Sequence, residues 1–320
     1  MNEISQPTTR LAPSPTGAMH VGNARTFLIN ELLAHQHNWR MLMRCEDLDS
    51  PRTKAGSIEQ MFDELSWLGF TWTGRILYQS QRADLYRKAL EVLALKGIAY
   101  PCICSRKDII SAGSAPHDSD SVPAYPGTCL GKFDSSDEAE DHSDRPVAWR
   151  VKVSDETIAF DDKFAGRCEI NLAKTCGDFV IFRNEGIASY QLAVILDDAE
   201  TDVDIIVRGD DLIDSTARQI HLRRLLGLST EQTYYHLPLV IGADGRRLAK
   251  RHGDTRLSYY RGLGASAERI LGLLAHITGL IKTPREITME ELYDIFDINL
   301  IPHHPIVFTP EHDAFMKGDA

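Results

Sequence analysis

Residues 10–23 read RLAPSPTGAMHVGN, and this stretch decides the fold. A short apolar strand pattern ends in a turn of proline and glycine. A helical pattern follows from about residue 20 to 35, with an apolar stripe formed by Leu28, Ile29, Leu32 and Leu33. A strand that opens a helix through a tight turn aims backbone N–H groups and the positive helix end at one point. The stretch therefore predicts a phosphate site, with room for a ring or sugar at Gly22 and a donor at His20, although His20 alone also fits an ordinary helix start.

The alternation of strand and helix patterns continues through the first hundred residues, which is typical of a parallel α/β sheet. Residues 100–145, rich in serine, proline, aspartate and glycine, are interpreted as an insertion. Within it, residues 134–144 carry six carboxylates without a lysine or arginine, which favours a solvated loop. Residues 262–320 are interpreted as helices followed by a tail rich in proline and histidine. Beyond the opening unit, the apolar pattern predicts strands at 41–45, 147–153, 179–182 and 204–207, and helices near 55–67, 81–96, 212–226, 266–280 and 289–297.

The balance of charge excludes one class of function. The 320 residues include 35 Lys and Arg against 46 Asp and Glu, for a net charge of −11. A protein that coats nucleic acid with a basic surface would not have this composition, so any nucleic-acid contact needs a local patch. With 43% hydrophobic residues, the chain can bury the core of about two domains. It shows no apolar run of the roughly 18 residues that span a membrane and no leader pattern, so we expect a cytoplasmic protein without membrane function.

The cysteines indicate a metal site. Cys102 and Cys104 form a Cys-x-Cys pair, and residues 125–129 read YPGTC. In a reducing compartment such a pair is better explained by metal or by chemistry than by a disulfide. Three thiolates and a fourth donor suit tetrahedral Zn²⁺, and free thiols without metal are the alternative. The other cysteines lack such spacing and are interpreted as core or surface thiols: Cys45, Cys168 and Cys176.

The opening stretch resembles the signature of class I aminoacyl-tRNA synthetases, in particular the glutamyl branch, whose version reads RFAPSPTGxLHxG. Leu11 replaces Phe and Met19 replaces Leu, and both are apolar exchanges. The resemblance extends over about residues 8–256 through four further motifs, RCEDLD at 44–49, SYQLA at 189–193, VRGDDL at 207–212 and RLAKRHG at 247–253.

The resemblance implies an α/β fold, with a Rossmann-type class I synthetase catalytic domain built on a parallel sheet, a zinc-binding insertion and a small C-terminal helical subdomain. The expected catalytic domain comprises residues 1–100 and 146–245, and the insertion comprises 101–145. Residues 246–320 would hold the signature loop and a helical subdomain. After the loop only 70 residues remain, which is too few for an anticodon-binding domain.

A glutamate site must match two carboxylates and one ammonium group, which calls for guanidinium forks and a carboxylate. By resemblance, Arg10 and Arg208 supply the cations at strand ends, where ligands gather in open α/β sheets. Glu46 and Ser14 would hold the α-ammonium, and Tyr190 would hydrogen-bond a carboxylate. For each arginine alone, a surface salt bridge is the alternative.

The ATP site implied by the resemblance comprises His20, Gly22, Asn23 and Lys250, with His20 and Lys250 as catalytic residues. Residues 247–253 resemble the K-M-S-K-S loop, although arginine or alanine replaces three of its residues, and Lys250 keeps the key position. An ammonium group with Mg²⁺ can stabilise the charge that develops on the phosphates of ATP. A solvated basic loop is the alternative.

The cysteine pattern resembles the glutamyl-queuosine tRNA(Asp) synthetase family, in which Cys, Cys, Tyr and Cys hold a structural zinc. The implied ligands are Cys102, Cys104, Tyr125 and Cys129, with His117 as another candidate for the fourth. Zinc-containing glutamyl-tRNA synthetases tend to have a histidine where Gly131 stands here.

This family activates L-glutamate with ATP without needing tRNA and attaches it to the cyclopentenediol ring of queuosine in tRNA(Asp). We expect a monomer. The alternatives are a shortened synthetase that charges the 3′ end of tRNA(Glu) and a non-catalytic nucleotide-binding module. Six basic residues near the loop form the expected RNA patch, whose binding should weaken with salt: Arg246, Arg247, Lys250, Arg251, Arg256 and Arg261.

Overall fold

The computed structural model of the chain describes residues 6–15, 19–48, 55–112, 123–143, 145–183, 185–246, 248 and 254–319. The strands are β1 Thr8–Leu11, β2 Arg40–Cys45, β3 Leu77–Tyr78, β4 Ala99–Cys102, β5 Ala148–Val151, β6 Thr157–Asp162, β7 Gly166–Asn171, β8 Phe179–Phe182, β9 Ile205–Gly209, β10 Thr233–Leu237, β11 Val240–Ile241 and β12 Ile306–Val307. The helices are α1 Val21–Gln36, α2 Ser57–Trp67, α3 Ala83–Leu95, α4 Arg106–Ala112, α5 Ser136–His142, α6 Leu172–Thr175, α7 Tyr190–Glu200, α8 Ile213–Leu226, α9 Leu257–Gly262, α10 Ala267–Thr278, α11 Met289–Ile295 and α12 Pro310–Lys317.

Two groups of parallel strands lie side by side at the centre. One has the order β1-β2-β3, and the other has the order β7-β6-β10-β9, in which only β7 is antiparallel to its neighbour. Between the groups, the backbone N–H of Asp204, next to β9, donates to the carbonyl of Thr8 at 3.0 Å. The chain reverses its direction of winding between β1 and β9, and ligands bind in α/β folds at the carboxyl ends of strands at such a point.

The expectation of a parallel sheet is confirmed for this centre, but it misses two antiparallel units. β4, β5 and β8 form a separate antiparallel sheet, and β6 pairs with β7 as a hairpin. The hairpin was missed because its solvent side carries charged residues such as Asp161, Arg167 and Glu169, which are depleted in strands.

Residues 136–142 form α5, so the expectation of a loop over 134–144 is wrong in this part. Ser135 caps the helix by accepting a hydrogen bond from the N–H of Glu138 at 3.1 Å. Asp137 and Glu138 lie in its first turn, where the positive end of the helix favours carboxylates. The same carboxylates that suggested a loop therefore stabilise a short helix.

The C-terminal helices complete the core of the parallel sheet. Leu11 of β1, Leu28 of α1, Leu273 of α10 and Met316 of α12 are all fully buried in one apolar cluster. The tail rich in proline and histidine is ordered, since β12 pairs with β11 and α12 packs against α10. Among the described residues, no helix is both long enough and apolar enough to cross a bilayer.

Candidate active site and metal centre

A cavity of about 330 Å³ lies where β1 and β9 end and α1 begins. The reversal of winding explains its position, because both strands present their last residues to the same crevice. Gly209, Asp211, Leu239 and Val240 form part of its wall. Eight of the residues named from the sequence line it together: Arg10, Ser14, His20, Gly22, Asn23, Glu46, Tyr190 and Arg208. Lys250 lies outside the described residues.

His20 combines the roles of helix cap and wall residue. Its Nδ1 accepts a hydrogen bond from the backbone N–H of Gly22 at 3.1 Å, so the proton of the neutral imidazole lies on Nε2. A Cβ atom at Gly22 would lie 3.1 Å from Cε1 of the same ring. Glycine at this position therefore lets the imidazole fold back onto the first turn of α1.

Residues on both sides of the K-M-S-K-S-like loop at 247–253 are attached to the walls of this cavity. The N–H of Leu248 donates to the carbonyl of Val240 at 3.4 Å. On the other side, the N–H of Val21 donates to Thr255, and the N–H of Leu257 donates to Met19, at 3.1 and 2.9 Å. The loop that carries Lys250 thus begins and ends beside the start of α1.

Buried charges lie at the floor of the cavity, which Arg10 and Glu46 line, and behind it, where Arg44 and Asp198 are placed. Nη1 of Arg44 donates to Asp198, Nη2 of Arg44 donates to Glu46 at 3.1 Å, and Nε of Arg10 lies 3.6 Å from Asp198. Burial alone would raise the pKa of Asp198, but Arg44 and Arg10 outweigh it and hold the pKa below its ordinary value. Burial lowers the pKa of Arg10 and raises that of Glu46, although both arginines oppose the rise at Glu46.

Arg208 is held by several partners at once. Its Nε donates to His236 at 3.0 Å, and its Nη1 donates to the hydroxyl of Tyr190 at 3.3 Å. Its Nη2 donates to Thr216 at 2.5 Å and to the carbonyl of Leu212 at 3.4 Å. Because the Tyr190 oxygen accepts from Arg208, its own O–H is left to donate elsewhere. Arg208 and Tyr190 therefore form a paired set of donors at the cavity.

Three residues that hold the predicted ones in place were not predicted from the sequence. Arg44 is the first residue of the RCEDLD motif, but the motif alone does not indicate that it binds Asp198 and Glu46. Asp198 follows an apolar run in α7, where a buried carboxylate is unusual, and this is the signal that could have found it. His236 gives no comparable signal, since its contact with Arg208 spans 28 residues.

Three of the four predicted metal ligands form a cluster of sulfur atoms. The Sγ atoms of Cys102, Cys104 and Cys129 lie within 4.8 Å of one another, and those of Cys104 and Cys129 are 3.4 Å apart. The hydroxyl of Tyr125 lies 3.4 Å from Cys102 Sγ and 3.7 Å from Cys104 Sγ. A tetrahedral Zn²⁺ with Zn–S bonds of about 2.3 Å brings sulfurs to about 3.8 Å, so this set fits a zinc ion. His117 lies outside the described residues.

Close contacts hold Tyr125 in the cluster. Its hydroxyl accepts from the N–H of Cys129 at 2.8 Å, and the guanidinium of Arg150 lies 3.7 Å above its ring. Arg150 also donates from Nε to Cys102 Sγ at 3.2 Å. On the backbone side, a Cβ atom at Gly177 would lie 2.3 Å from the Tyr125 carbonyl oxygen, so only glycine permits this approach. The other cysteines have free thiols, with Cys45 buried and Cys168 and Cys176 partly exposed.

The expected basic patch is partly neutralised. Arg256 forms an ion pair with Asp254, and Arg261 forms one with Asp63 while it lies 4.7 Å above the ring of Trp67. Three members of the patch, residues 247, 250 and 251, lie outside the described residues. The patch therefore has fewer uncompensated cations than its sequence suggests.

Known proteins resemble this chain over nearly its whole length. The family model for class I tRNA synthetases of the E and Q type, catalytic domain, matches residues 6–312. A glutamyl-Q tRNA(Asp) synthetase from Symbiobacterium thermophilum is 41% identical over 318 residues, covering 97% of this chain and 98% of the relative. Another, from Rhodopirellula baltica, is 44% identical over 288 residues, covering 87% and 86%. The crystal structure of glutamate-tRNA synthetase from Elizabethkingia anophelis superposes with a TM-score of 0.79 at 25% identity, covering 98% of this chain and 70% of that one.

Proposed function

Because this chain belongs to the class I tRNA synthetases of the E and Q type, and among them to the glutamyl-Q tRNA(Asp) synthetases, we propose that it activates L-glutamate with ATP and transfers it to queuosine in the anticodon of tRNA(Asp). The similarity to a relative of that name over 98% of the relative's length carries this proposal. The cavity supports it, because it joins a helix N-terminus to two buried guanidinium groups.

The reaction has two steps and needs no protein nucleophile. The α-carboxylate of glutamate attacks the α-phosphorus of ATP, and pyrophosphate leaves. A hydroxyl of the cyclopentenediol ring of queuosine then attacks the carbonyl carbon, and AMP leaves. The first step needs no tRNA. The protein contributes orientation and charge stabilisation, which are the two largest sources of catalysis available to it.

The charge of the cavity floor suits glutamate. Among the described residues, the charged side chains that line the cavity are two arginines and two acids: Arg10, Arg208, Glu46 and Asp211. The two guanidinium groups can take the two carboxylates of glutamate, and the carboxylate of Glu46 can take its ammonium group. Nε of Arg10 faces Asp198 at 3.6 Å, and its Nη1 makes a long hydrogen bond to the carbonyl of Val207 at 3.5 Å, so the remaining Nη donors can serve a carboxylate.

The remaining carboxylate of the floor faces the other end of the substrate. Glu46 is half-buried and accepts from Arg44 with one oxygen, and its second oxygen would take the α-ammonium together with Ser14, which also lines the cavity. Tyr190 would donate its O–H to a carboxylate beside Arg208. These assignments give each charged group of glutamate a partner of opposite sign.

The phosphates of ATP would lie at the start of α1. His20, Gly22 and Asn23 line the cavity there, and the Nε2–H of His20 is a donor suited to a phosphate or ribose oxygen. Lys250, carried by the loop whose ends flank this helix, would stabilise the charge that develops on the phosphates, together with the Mg²⁺ that accompanies ATP.

A structural zinc ion, one per chain, completes the proposed enzyme. Cys102, Cys104, Tyr125 and Cys129 would hold it, and it would stabilise the short elements around it. A separate apolar cluster within residues 100–147 supports an insertion at 101–145. The catalytic domain would then comprise residues 1–100 and 146–245. Residues 246–320 would form the helical subdomain. We place this enzyme in the cytoplasm as a monomer.

A comparison of acceptors tests the function. Labelled glutamate and ATP are supplied with tRNA(Asp) that carries queuosine, with the same tRNA lacking queuosine, and with tRNA(Glu). We expect label only on the first, including after removal of its 3′-terminal adenosine, because the acceptor is in the anticodon. Label at the 3′ end of tRNA(Glu) would identify a shortened glutamyl-tRNA synthetase. Absence of glutamate-dependent ATP–pyrophosphate exchange would identify a non-catalytic module.

A further inference from the structure

A chain of buried polar side chains leads away from Arg208 across three adjacent strands. Arg208 of β9 lies opposite His236 of β10 in the parallel register, and Asp162 ends β6, the next strand. Nε of Arg208 donates to Nε2 of His236 at 3.0 Å, and Nδ1 of His236 lies 2.7 Å from Asp162 Oδ2. The side chains of His236 and Asp162 are both fully buried, so water does not compete for these bonds.

The chemistry of these side chains fixes which of them donates and which accepts in each hydrogen bond. Arginine can only donate, so Nε2 of His236 must accept, and the ring proton lies on Nδ1 and is donated to Asp162. Burial lowers the pKa of His236, and Arg208 lowers it further, against the opposing charge of Asp162. The imidazole is therefore neutral and held in one tautomer.

Asp162 is itself anchored by the backbone. Its Oδ1 accepts from the N–H groups of Phe164 and Ala165 at 2.8 and 2.6 Å, and the backbone N–H of His236 lies 3.1 Å from Oδ2. Burial alone would raise the pKa of Asp162, but the hydrogen bond from the His236 ring and those from the N–H groups of Ala165 and Phe164 hold the pKa below its ordinary value. Three backbone N–H groups thus fix a carboxylate that in turn fixes an imidazole.

We propose that Asp162 and His236 are positioning residues for glutamate binding: they hold the guanidinium of Arg208 in the one orientation that presents Nη1, with the Tyr190 hydroxyl, to the substrate carboxylate. A guanidinium is planar, so fixing Nε on His236 and Nη2 on Thr216 fixes the direction of Nη1. Fork-like recognition of a carboxylate depends on this direction. The inference rests on the proposed function, since it assigns glutamate as the ligand of Arg208.

Two substitutions of His236 separate its two contacts. In His236→Gln the side-chain oxygen can take the place of Nε2 and still accept from Arg208. In His236→Asn the shorter amide can take the place of Nδ1 and still donate to Asp162, but it does not reach Arg208. The matched control is His221→Asn, because His221 is also buried and its Nε2 lies 2.8 Å from the carbonyl of Lys152, outside the cavity.

The measurement is ATP–pyrophosphate exchange, with KM determined separately for glutamate and ATP, alongside the urea unfolding midpoint of each variant. We expect His236→Asn to raise the glutamate KM at least about tenfold with the ATP KM within about twofold, because binding of one substrate is lost. His236→Gln should recover most of the loss, and His221→Asn should leave both KM values unchanged.

For folded variants, an unchanged glutamate KM in His236→Asn, equal shifts in both KM values, or no recovery in His236→Gln would overturn the proposal. Should His236→Asn not fold, the glutamate KM of Asp162→Ala decides by the same criteria, because this substitution removes the acceptor that fixes the His236 ring. If the unmodified protein exchanges no pyrophosphate with glutamate, the proposed function fails as well.

Discussion

The buried guanidinium group of Arg208 both binds neighbouring protein groups and lines the cavity. Its Nε and Nη2 are engaged by His236, Thr216 and Leu212, while its Nη1 and the hydroxyl of Tyr190 face the cavity. Removing it leaves both a buried acceptor without a donor and a carboxylate site without a cation. Its removal should therefore weaken glutamate binding more than it lowers the free energy of unfolding.

We expect Arg208→Ala to lower kcat/KM for glutamate in pyrophosphate exchange by more than about 100-fold, since hydrogen bonds to a charged group contribute roughly 1.5–3 kcal/mol each. Arg208→Lys keeps the charge but lacks the planar fork, so we expect an intermediate loss. Arg224→Ala is the control, because Arg224 is exposed, lies outside the cavity and is paired with Glu156. Near-normal exchange in folded Arg208→Ala would contradict the role.

Cys129 is the residue on which the metal proposal is most easily tested. Its Sγ belongs to the sulfur cluster, and its N–H donates to the Tyr125 hydroxyl. We expect Cys129→Ser to reduce the zinc content of the purified protein from about one ion per chain to well below one, because the thiolate is lost. Metal content measured by mass spectrometry decides this. Cys168→Ser, remote from the cluster, should retain the zinc, and equal content in both variants would remove Cys129 from the ligands.

At the scale of elements, the start of α1 depends on His20. As N-cap, the imidazole accepts from the N–H of Gly22, and since it also lines the cavity, we propose that it donates Nε2–H to a nucleotide. We expect His20→Ala to cost about 1 kcal/mol of unfolding free energy, whereas His20→Asn keeps a capping oxygen and most of the stability. Both variants should lose most of the exchange activity, because both lack the imidazole.

Urea unfolding and exchange kinetics on the same preparations distinguish the two roles. A full exchange rate in His20→Asn would mean that the imidazole acts only as a cap. Equal stability of the two variants would mean that the cap contributes nothing to the fold.

The contact between α1 and α11 contains a buried acid. Glu31 Oε1 accepts from the hydroxyl of Tyr293 at 3.0 Å, and the Tyr293 ring stacks on His35 at 3.7 Å. Burial raises the pKa of Glu31 above its ordinary value of 4.5, while hydrogen bonds from Tyr293 and Thr71 oppose the rise. The folded protein thus holds this proton more tightly than the unfolded chain, so the stabilisation is complete below pH 4.5 and is lost as the pH rises through the raised pKa.

We expect Glu31→Gln, which stays uncharged, to gain stability relative to the unmodified protein between pH 4 and pH 7.5. Urea unfolding at the two pH values measures the difference. Glu91→Gln, at an exposed position of α3, should show no such change with pH. A difference that is constant with pH in Glu31→Gln would show that the folded protein does not shift the pKa of this carboxyl.

The elements that the sequence predicts well are those that contain continuous apolar runs. α1, β2 and β8 lie within one or two residues of their predicted bounds, because such a run is buried in the core in each of them. The hairpin of β6 and β7 and the helix α12 were missed, since their exposed faces are charged and since β6 also pairs with β10, and α12 packs on α10, both distant in sequence. Tertiary packing overrides local pattern at such places.

The same limit applies to the cavity. Motifs predicted the residues that line it, because strand ends and helix starts are local features. Their partners were not predicted, since Asp198 meets Arg44 across 154 residues and Asp162 meets His236 across 74. A single sequence, taken without an alignment, does not record which distant residues meet.

At the scale of the whole molecule, the net charge of −11 makes RNA binding depend on few local cations. Each phosphate contact made by a cation contributes about 0.7–0.9 to the slope of log affinity against log salt. Arg261 is already paired with Asp63, whereas Arg246 lies at the start of the loop beside the cavity and is exposed. Their contributions to tRNA binding should therefore differ, although both are arginines of the same patch.

We expect the affinity for tRNA(Asp) carrying queuosine to fall steeply between about 50 and 200 mM salt, with a slope reduced by about 1 in Arg246→Ala. Arg261→Ala should leave the slope nearly unchanged, because its guanidinium is neutralised by Asp63 and covers Trp67. Fluorescence titration of labelled tRNA over this range of salt measures all three slopes. If Arg261→Ala reduces the slope as much as Arg246→Ala does, the ion pair with Asp63 must open on binding, and the patch then acts as its sequence suggested. If neither changes it, RNA is bound by another face of the molecule.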